Sequence, residues 1–330
     1  MTTYKDAGVD IEAGDAAVKR ISKIVKKSFT KNTLTEIGGF GGCFNFPKDK
    51  YDEPVLVSSA DGVGTKLKIA FLSERHSTVG QCLVNHCVND ILAVGARPMF
   101  FLDYFATAKL DVSVLEAVVS GLSQACQENN CSLIGGETAE MPGFYQDGEY
   151  DMSGTIVGVV DRKYMLPNRK TSKGDILIGL PSTGLHTNGY SLARKILLSN
   201  YGVNEFIDSI GCTVADALLA IHKSYLHVAD AILEKDWLRG ISHITGGGII
   251  NNTMRILEKN QGLNIDWDSW ERPEIFKLIQ KLGSVPEDDL RQSMNLGIGL
   301  ILVVRPEGLS ECLTHLESLD EAYYNLGKVT

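Results

Sequence analysis

The chain has 330 residues, of which 44% are hydrophobic and 22% are charged, and its formal net charge is −9 at pH 7. This composition is typical of a globular protein that is long enough for two domains. The acidic balance argues against a nucleic-acid binder, which usually has a basic face, and no apolar run approaches the roughly 18 residues of a membrane helix.

The seven cysteines include no C-x-x-C pair, so a zinc site is not expected. The first residues also lack the apolar region of a signal peptide. We therefore expect a cytoplasmic protein with reduced, mostly buried thiols and no membrane partner.

Residues 10–27 have apolar residues at near-helical spacing, which predicts a surface helix that Asp10 caps. Residues 37–44 then contain four glycines around Phe40. A loop whose backbone closes over a ligand is one interpretation, and a flexible connector is the other. The glycines are Gly38, Gly39, Gly41 and Gly42.

Residues 55–57 are apolar and β-branched and predict a buried strand. An acid, two glycines, a hydroxyl and a lysine follow within six residues, namely Asp61, Gly62, Gly64, Thr65 and Lys66. Backbone N–H groups at such glycines can cradle phosphate oxygens, Asp61 can hold a magnesium ion, and Lys66 can meet a phosphate charge. A glycine-rich turn with a solvated lysine is the alternative. Residues 67–72 predict the start of a helix.

Residues 79–95 predict a helix on which Asn85 and Asn89 share a face, as do His86 and Asp90. Residues 99–106 predict a strand, residues 112–129 a helix and residues 131–134 a second strand, which leads to Gly135, Gly136 and Glu137. Asp61, Asp90 and Glu137 would thus lie near the ends of strands or helices. Three carboxylates there suit one or two magnesium ions that hold a nucleotide polyphosphate. The alternative for Asp90 is an ordinary exposed helix aspartate.

A strand at residues 152–160 precedes a charged boundary at residues 161–173. Beyond it, a strand at 176–180 leads to a loop with His186 and Asn188, and a helix follows at 191–199. Such a loop between strand and helix is typical of an anion or polar-ligand site. His186 is a candidate general base, although a lone loop histidine is usually structural.

Residues 214–233 predict one helix. A strand at residues 241–244 then leads to Thr245, Gly246, Gly247 and Gly248, which open another helix. A triple glycine at a helix start costs backbone entropy, so a functional reason is plausible. Residues 297–304 predict a buried strand and residues 309–316 a helix.

Together these motifs resemble the phosphoribosylformylglycinamidine cyclo-ligase family, also called aminoimidazole ribonucleotide synthetase. The similarity includes the loop at 61–66, a D-x4-G-A-x-P pattern from Asp90 to Pro98, and an opening at 4–10 that is similar to the family's. Further matches occur, in order, at residues 100–104, 135–143, 186–191 and 245–248. Each motif alone is modest, but their order over almost the whole chain is specific.

The resemblance implies an α/β (α+β) fold with an ATP-binding and dimerisation domain at 1–165 and a C-terminal domain at 166–330 that completes the active site. The N-terminal mixed sheet would form a shared barrel in a homodimer, with the nucleotide site near the interface, and helices would flank the C-terminal sheet. The implied reaction is the closure of formylglycinamidine ribonucleotide to aminoimidazole ribonucleotide, with ATP converted to ADP and phosphate, in purine biosynthesis.

The resemblance also implies roles for individual residues. Asp61, Asp90 and Glu137 would bind Mg²⁺, and the ATP phosphates would meet Asp61, Gly62, Gly64, Thr65, Lys66 and the four glycines at 38–42. The substrate would meet His186, Asn188, Thr245, Gly246, Gly247 and Gly248. Catalysis would involve His186, Asp90 and Lys66.

Other members of the same superfamily are the alternatives. A selenophosphate synthetase would have a reactive cysteine beside a lysine in its glycine loop, whereas Cys43 precedes Phe44. A hydrogenase maturation factor would end in cysteine, and this sequence ends in Thr330. A thiamine phosphate kinase and a non-catalytic nucleotide-binding subunit are further alternatives. The three acidic residues argue against the non-catalytic subunit.

Overall fold

The computed structural model describes residues 11–330, so the motif at 4–10 and the cap predicted at Asp10 lie outside the described residues. The N-terminal half contains four helices and four strands among these residues. They are α1 (Ile11–Val25), β1 (Pro54–Gly62), α2 (Leu67–Ser73), α3 (Ser77–Leu92), β2 (Arg97–Thr107), α4 (Val112–Glu128), β3 (Ser132–Glu140) and β4 (Tyr150–Asp161).

The four N-terminal strands form one mixed sheet in the order β1-β4-β2-β3. β2 and β3 are parallel, and the other two pairs are antiparallel. Helices α3 and α4 pack against each other, and α3 lies on β1 and β4. Phe101 and Ile156 are fully buried beneath this helical layer. The predicted mixed sheet is thus present in a single chain.

The opposite face of this sheet is uncovered in the single chain. The side chains of β1 alternate between partly buried and exposed positions, and Leu56 is 63% exposed. The prediction of a buried strand at 55–57 is therefore wrong for Leu56, because helices cover only one face of the sheet.

Most predicted elements are present, but two strands extend further than expected. β1 continues through Asp61 and Gly62, and β3 continues through Glu137, where we predicted loops. Ladder hydrogen bonds to β4 and β2 keep these segments extended despite their glycines.

The C-terminal half contains seven helices and seven strands. They are β5 (Ile176–Pro181), α5 (Tyr190–Leu197), β6 (Phe206–Ile207), β7 (Cys212–Thr213), α6 (Val214–Leu219), α7 (Leu226–Ala229), β8 (Leu238–His243), α8 (Gly248–Met254), β9 (Leu263–Ile265), α9 (Glu274–Gly283), α10 (Glu287–Ser293), β10 (Ile298–Val304), α11 (Leu309–Ser318) and β11 (Tyr324–Val329). Five strands form an antiparallel sheet in the order β8-β10-β5-β11-β9, and β10, between β8 and β5, is fully buried. Helices flank this sheet, as predicted. Across residues 11–330, none of the helices is long and apolar enough to span a membrane.

The single helix predicted at residues 214–233 is wrong. α6 and α7 are separated by residues 220–225, whose backbone bonds to side chains of the N-terminal half. Asn85 Nδ2 donates to the carbonyl oxygen of His222 at 2.8 Å, and Asn89 Nδ2 donates to that of Lys223 at 2.8 Å. These distant partners satisfy backbone groups that a helix would otherwise satisfy locally.

Candidate functional site

Two carboxylates and two imidazoles meet where the two halves of the chain face each other. Asp61 is the penultimate residue of β1, His86 and Asp90 lie one turn apart on α3, and His243 ends β8. His86 Nε2 lies 2.8 Å from Asp61 Oδ2 and 3.9 Å from Asp90 Oδ2. His243 Nδ1 lies 2.8 Å from Asp90 Oδ1. Both carboxylates are therefore grouped around buried imidazoles.

Each carboxylate is oriented by a second donor and stays open to solvent on one side. Asp61 Oδ1 accepts the backbone N–H of Gly62 at 2.7 Å, and Asp90 Oδ2 accepts the Ser59 hydroxyl at 2.9 Å. The side chains of Asp61 and Asp90 are 40% and 28% exposed. Neither side chain is therefore closed off from a ligand.

Both aspartates are held in the ionised form. Partial burial opposes the charge, but the hydrogen bond and charge of His86 lower the pKa of Asp61 below its ordinary value. Likewise, His243 outweighs burial and lowers the pKa of Asp90. These carboxylates can thus bind a cation at neutral pH.

This cluster fits a divalent cation. Within the described residues, ligand atoms of His86, Asp90 and His243 lie within 4.8 Å of one another. Asp61 and Asp90 have oxygen lone pairs left over, and oxygen is the ligand that Mg²⁺ prefers. The imidazoles would then act as outer partners that orient the carboxylates.

Several predicted substrate residues surround the cluster. The loop at 245–248 begins two residues after His243, and Asn188 packs against it: a Cβ at Gly246 would lie 3.2 Å from Asn188 Oδ1. Gly64 and Thr65 are exposed, and Thr65 Oγ1 lies 3.3 Å from Ser191 Oγ. The structure therefore places parts of the loops at 61–66 and 245–248 around one region.

The phosphate contact predicted for Lys66 is not supported by the structure. Its side chain is fully buried, and Nζ donates to the carbonyl oxygens of His186 at 2.9 Å and Ala220 at 2.6 Å. The ammonium group points into the contact between the two halves, because backbone carbonyls there need a donor. Lys66 is a structural link in this conformation.

His186 does not present its ring to a ligand. It is 1% exposed, and its Nε2 accepts the backbone N–H of Thr183 at 3.1 Å. Its ring stacks on His222 with centroids 4.0 Å apart, and burial lowers its pKa well below the ordinary value. A neutral, buried imidazole whose lone pair is already occupied is poorly suited to be the general base that we predicted.

Sequence models of a known family match both halves of the chain. The model described as "AIR synthase related protein, N-terminal domain" matches residues 46–160, and its C-terminal counterpart matches residues 172–330. The chain is 46% identical over 328 residues to "Phosphoribosylformylglycinamidine cyclo-ligase" of Thermoanaerobacter sp. (strain X514), covering 99% of this chain and 97% of that protein. It is 48% identical over 329 residues to the protein of that name from Geotalea daltonii, with 99% and 94% covered.

The chain belongs to the phosphoribosylformylglycinamidine cyclo-ligase family. Its members are named as ligases, and the resemblance inferred from the motifs is confirmed. The order of the motifs was therefore a reliable indicator, even though two of the residues singled out within them, Lys66 and His186, are buried.

Solved structures of other families have the same fold. Thiamine-monophosphate kinase from Stenotrophomonas maltophilia K279a has a TM-score of 0.70 at 18% identity, with 96% of this chain and 93% of that chain covered. Hydrogenase maturation protein HypE in complex with ATP has a TM-score of 0.60 at 16% identity, with 95% and 86% covered. Because the sequence identities are this low, the similarity shows only that this chain has the same fold as those proteins.

Two predicted parts of the cyclo-ligase site lie away from the cluster. Glu137 occupies the same cross-strand row as Gly62, with one residue of β4 and one of β2 between them. Three strand spacings separate them by roughly 14 Å. The glycines at 38–42 lie beside the same edge, where Gly42 packs against Ile134 of β3. The three carboxylates predicted to bind magnesium are therefore not brought together within a single chain.

Three histidines of the site were missed at the level of sequence. His86 was noted only as a neighbour of Asp90, and His222 and His243 were not singled out. His243 lies two residues before the start of the glycine loop at 245–248, which is a usable signal. No such signal indicated His222, because we predicted a continuous helix there.

Proposed function

We propose that the protein closes the imidazole ring of formylglycinamidine ribonucleotide, forming 5-aminoimidazole ribonucleotide, ADP and phosphate in de novo purine biosynthesis. The observation that carries this proposal is the 46% identity to a named cyclo-ligase over 99% of the chain. The clustered aspartates, histidines and glycine loops provide a polar site of the kind this chemistry needs.

The reaction needs activation of a poor electrophile. A formamide oxygen leaves badly, but phosphoryl transfer from ATP converts it into a phosphate leaving group. The ribose-bound nitrogen then attacks the formyl carbon, the ring closes, and the former amide oxygen departs in inorganic phosphate. The protein must hold both substrates in line and exclude water.

We assign ATP and Mg²⁺ to the half of the site formed by Asp61 and Asp90. Their ionised, partly exposed carboxylates fit Mg²⁺, which would neutralise phosphate charge when bound. The exposed backbone at Gly64 and Thr65, next to Gly62, would meet phosphate oxygens. The HypE protein described above, which has the same fold, was solved in complex with ATP, and this supports the assignment of ATP.

We assign the substrate to the C-terminal side of the cluster. Asn188 and the loop at 245–248 would contact the ribonucleotide, and their proximity to His243 supports this assignment. His186 would hold in place the loop that carries Asn188, since Lys66 Nζ and the Tyr190 hydroxyl both donate hydrogen bonds to the His186 carbonyl oxygen.

We infer that the active form is a homodimer in which two N-terminal sheets form a shared barrel. The uncovered sheet face, with Leu56 63% exposed and Tyr104 37% exposed, supports this inference. A second copy would also bring Glu137 and the glycines at 38–42 to the site of its partner. The domain division at 165/166 and a cytoplasmic location, consistent with seven free cysteines, belong to the same proposal.

The proposal is tested by measuring ADP and aminoimidazole ribonucleotide with purified protein, ATP and Mg²⁺, with and without formylglycinamidine ribonucleotide. Equal amounts of both products, formed only with that substrate, are expected. ADP formation with thiamine monophosphate instead would assign the chain another acceptor. ATP binding without turnover of any acceptor would indicate a non-catalytic subunit.

A further inference from the structure

Two buried asparagines each hold one of the two loops to which we assigned the ribonucleotide. Asn295 lies two residues after the end of α10, and Asn252 lies on α8. Each side-chain amide bonds to backbone and hydroxyl groups of a loop rather than to solvent.

Asn295 holds the first part of one loop, at 182–189. Its Nδ2 donates to the carbonyl oxygen of Gly184 at 2.9 Å, and its Oδ1 accepts the backbone N–H of Gly297 at 2.9 Å. These two partners fix the orientation of the amide, because a carbonyl only accepts and a backbone N–H only donates. The Ser182 hydroxyl lies 2.9 Å from the same carbonyl oxygen and 3.2 Å from Asn295 Oδ1. Asn295 thus joins this loop to the turn that follows α10.

The end of the same loop rests on the same turn. Gly189 directly follows Asn188 and has a φ of +79°, and a Cβ there would lie 2.8 Å from Met294 Cγ and 3.1 Å from the carbonyl oxygen of Ser293. A side chain at this position would therefore push the loop away from its support. Asn188 lies between two held points of the loop, Gly184 and Gly189.

Asn252 holds the other loop, at 245–248. Its Nδ2 donates to the carbonyl oxygen of Gly248 at 2.8 Å and lies 3.2 Å from that of Thr245. Its Oδ1 accepts the Thr245 hydroxyl at 3.2 Å. One amide therefore spans this loop from its first residue to its last.

The two loops share a support, since residues 291–295 contact both of them. The backbone N–H of Gly247 donates to the carbonyl oxygen of Gln292 at 3.0 Å. Gly248 has a φ of +66°, and a Cβ there would overlap the carbonyl oxygen of Arg291. The end of α10 and its following turn thus set the distance between the loops.

We propose that Asn295 and Asn252 are positioning residues, which fix the backbone of the two loops so that Asn188 and the exposed Gly246 meet the ribonucleotide in one arrangement. The proposal rests on the proposed function, which assigns the ribonucleotide to these loops. Within residues 11–330, the side-chain hydrogen bonds of both asparagines stay in the C-terminal half. Their loss should therefore affect the ribonucleotide and not ATP.

The first test measures both KM values in Asn295→Ala and Asn252→Ala. The matched control is Asn129→Ala, because Asn129 is also buried and donates to Asn85 Oδ1 at 2.8 Å and to the carbonyl oxygen of Ala125 at 2.7 Å, in the N-terminal half. We expect each loop variant to raise the KM for formylglycinamidine ribonucleotide about tenfold and to leave the KM for ATP within about twofold. The control should leave both values within about twofold.

A merely structural role would not separate the two substrates. An equal rise of both KM values, or no rise of either, would remove the replaced asparagine from the positioning role. A selective rise in Asn129→Ala as well would overturn the proposal, because the effect would then follow from any lost buried amide.

The second test is hydrogen exchange of the ligand-free proteins, measured by mass spectrometry on peptides that cover 182–189 and 245–248. Each loop variant should speed exchange about tenfold in its own loop, whereas Asn129→Ala should leave both loops unchanged. Unchanged exchange in the loop of the replaced asparagine would overturn its role. If a variant fails to fold, the Gly297 and Gly247 amides of the parent protein decide. Both should exchange at least about 100-fold more slowly than unstructured amides, and rapid exchange of either would show that the loops are not held.

The two proposals fail in distinguishable ways. Absence of ADP formation in the parent protein would refute the proposed function but leave hydrogen exchange measurable. The exchange data alone then decide whether the two asparagines hold the loops. Normal turnover with unselective KM changes would instead refute the positioning role and leave the proposed function standing.

Discussion

Lys66 Nζ donates a hydrogen bond to the carbonyl oxygen of His186, 2.9 Å away, although the two residues are 120 positions apart in the sequence. The same ammonium group bonds to the carbonyl oxygen of Ala220. A lysine in a glycine-rich loop, which we expected at a phosphate, thus joins the two halves of the chain beneath the site.

Replacement of Lys66 should therefore affect stability first. Lys66→Met leaves the partly buried carbonyl oxygen of Ala220 with only the weak donor Cys82 Sγ, 3.9 Å away, which should lower the free energy of unfolding by about 2 kcal/mol. The control is Lys68→Met, because Lys68 is 41% exposed and pairs with Glu149, so its loss should cost about 0.5 kcal/mol. Urea unfolding measures both. Unchanged stability of Lys66→Met with a raised KM for ATP would support the phosphate role instead.

Asp61→Asn should reduce turnover without unfolding the protein. An amide cannot neutralise a cation, so we expect kcat to fall at least about 100-fold while the melting temperature stays near that of the parent. The exposed Asp236 offers a matched control, and Asp236→Asn should retain activity. Near-normal turnover of Asp61→Asn at low Mg²⁺ would remove Asp61 from the metal role.

Mixed dimers can show whether Glu137 acts in the partner's site. Asp61→Asn and Glu137→Gln homodimers should each be nearly inactive if both residues serve one shared site. After unfolding and refolding together in equal amounts, random pairing should restore about a quarter of the parent activity, because half of the dimers then contain one intact site. No recovery, with dimers confirmed by light scattering, would place both residues in the site of one chain.

The Arg272–Glu287 pair should contribute an acid-labile part of the stability. Hydrogen bonds from Arg272, Gln280 and Arg291 lower the pKa of Glu287 from 4.5 to about 2. Because the folded-state pKa lies below the unfolded one, the contribution is complete above pH 4.5 and is lost as the pH falls towards 2. Glu287 is 35% exposed, so solvent screening limits the contribution to about 1 kcal/mol.

Urea unfolding at about pH 5.5 and about pH 3 measures this contribution. Glu287→Gln should lose less stability between the two pH values than the parent protein does. Exposed Glu258→Gln is the control, and it should behave like the parent. An equal loss of unfolding free energy in the parent protein and in Glu287→Gln would show that other carboxylates govern the response to acid.

Local pattern was sufficient for most of the secondary structure and for the family. α3 and β10 follow from apolar spacing that is visible in a short window, and the motifs at 61–66, 90–98 and 245–248 identify the family by their order. These features can be predicted from residues that are close in the sequence, because a helix and a strand each place apolar residues at a characteristic spacing.

Only the tertiary structure decided which residues meet. Asn85 and Asn89 bind the backbone at 220–225 and break a helix that local pattern predicts, while carbonyl groups from the second half draw Lys66 into the interior. The motifs predicted that Glu137 and Asp61 bind the same metal site, but their strands, β3 and β1, lie at opposite edges of the four-stranded sheet. The reason is the same in each case: buried polar groups must find partners, and those partners lie far along the chain, where no local pattern can indicate them.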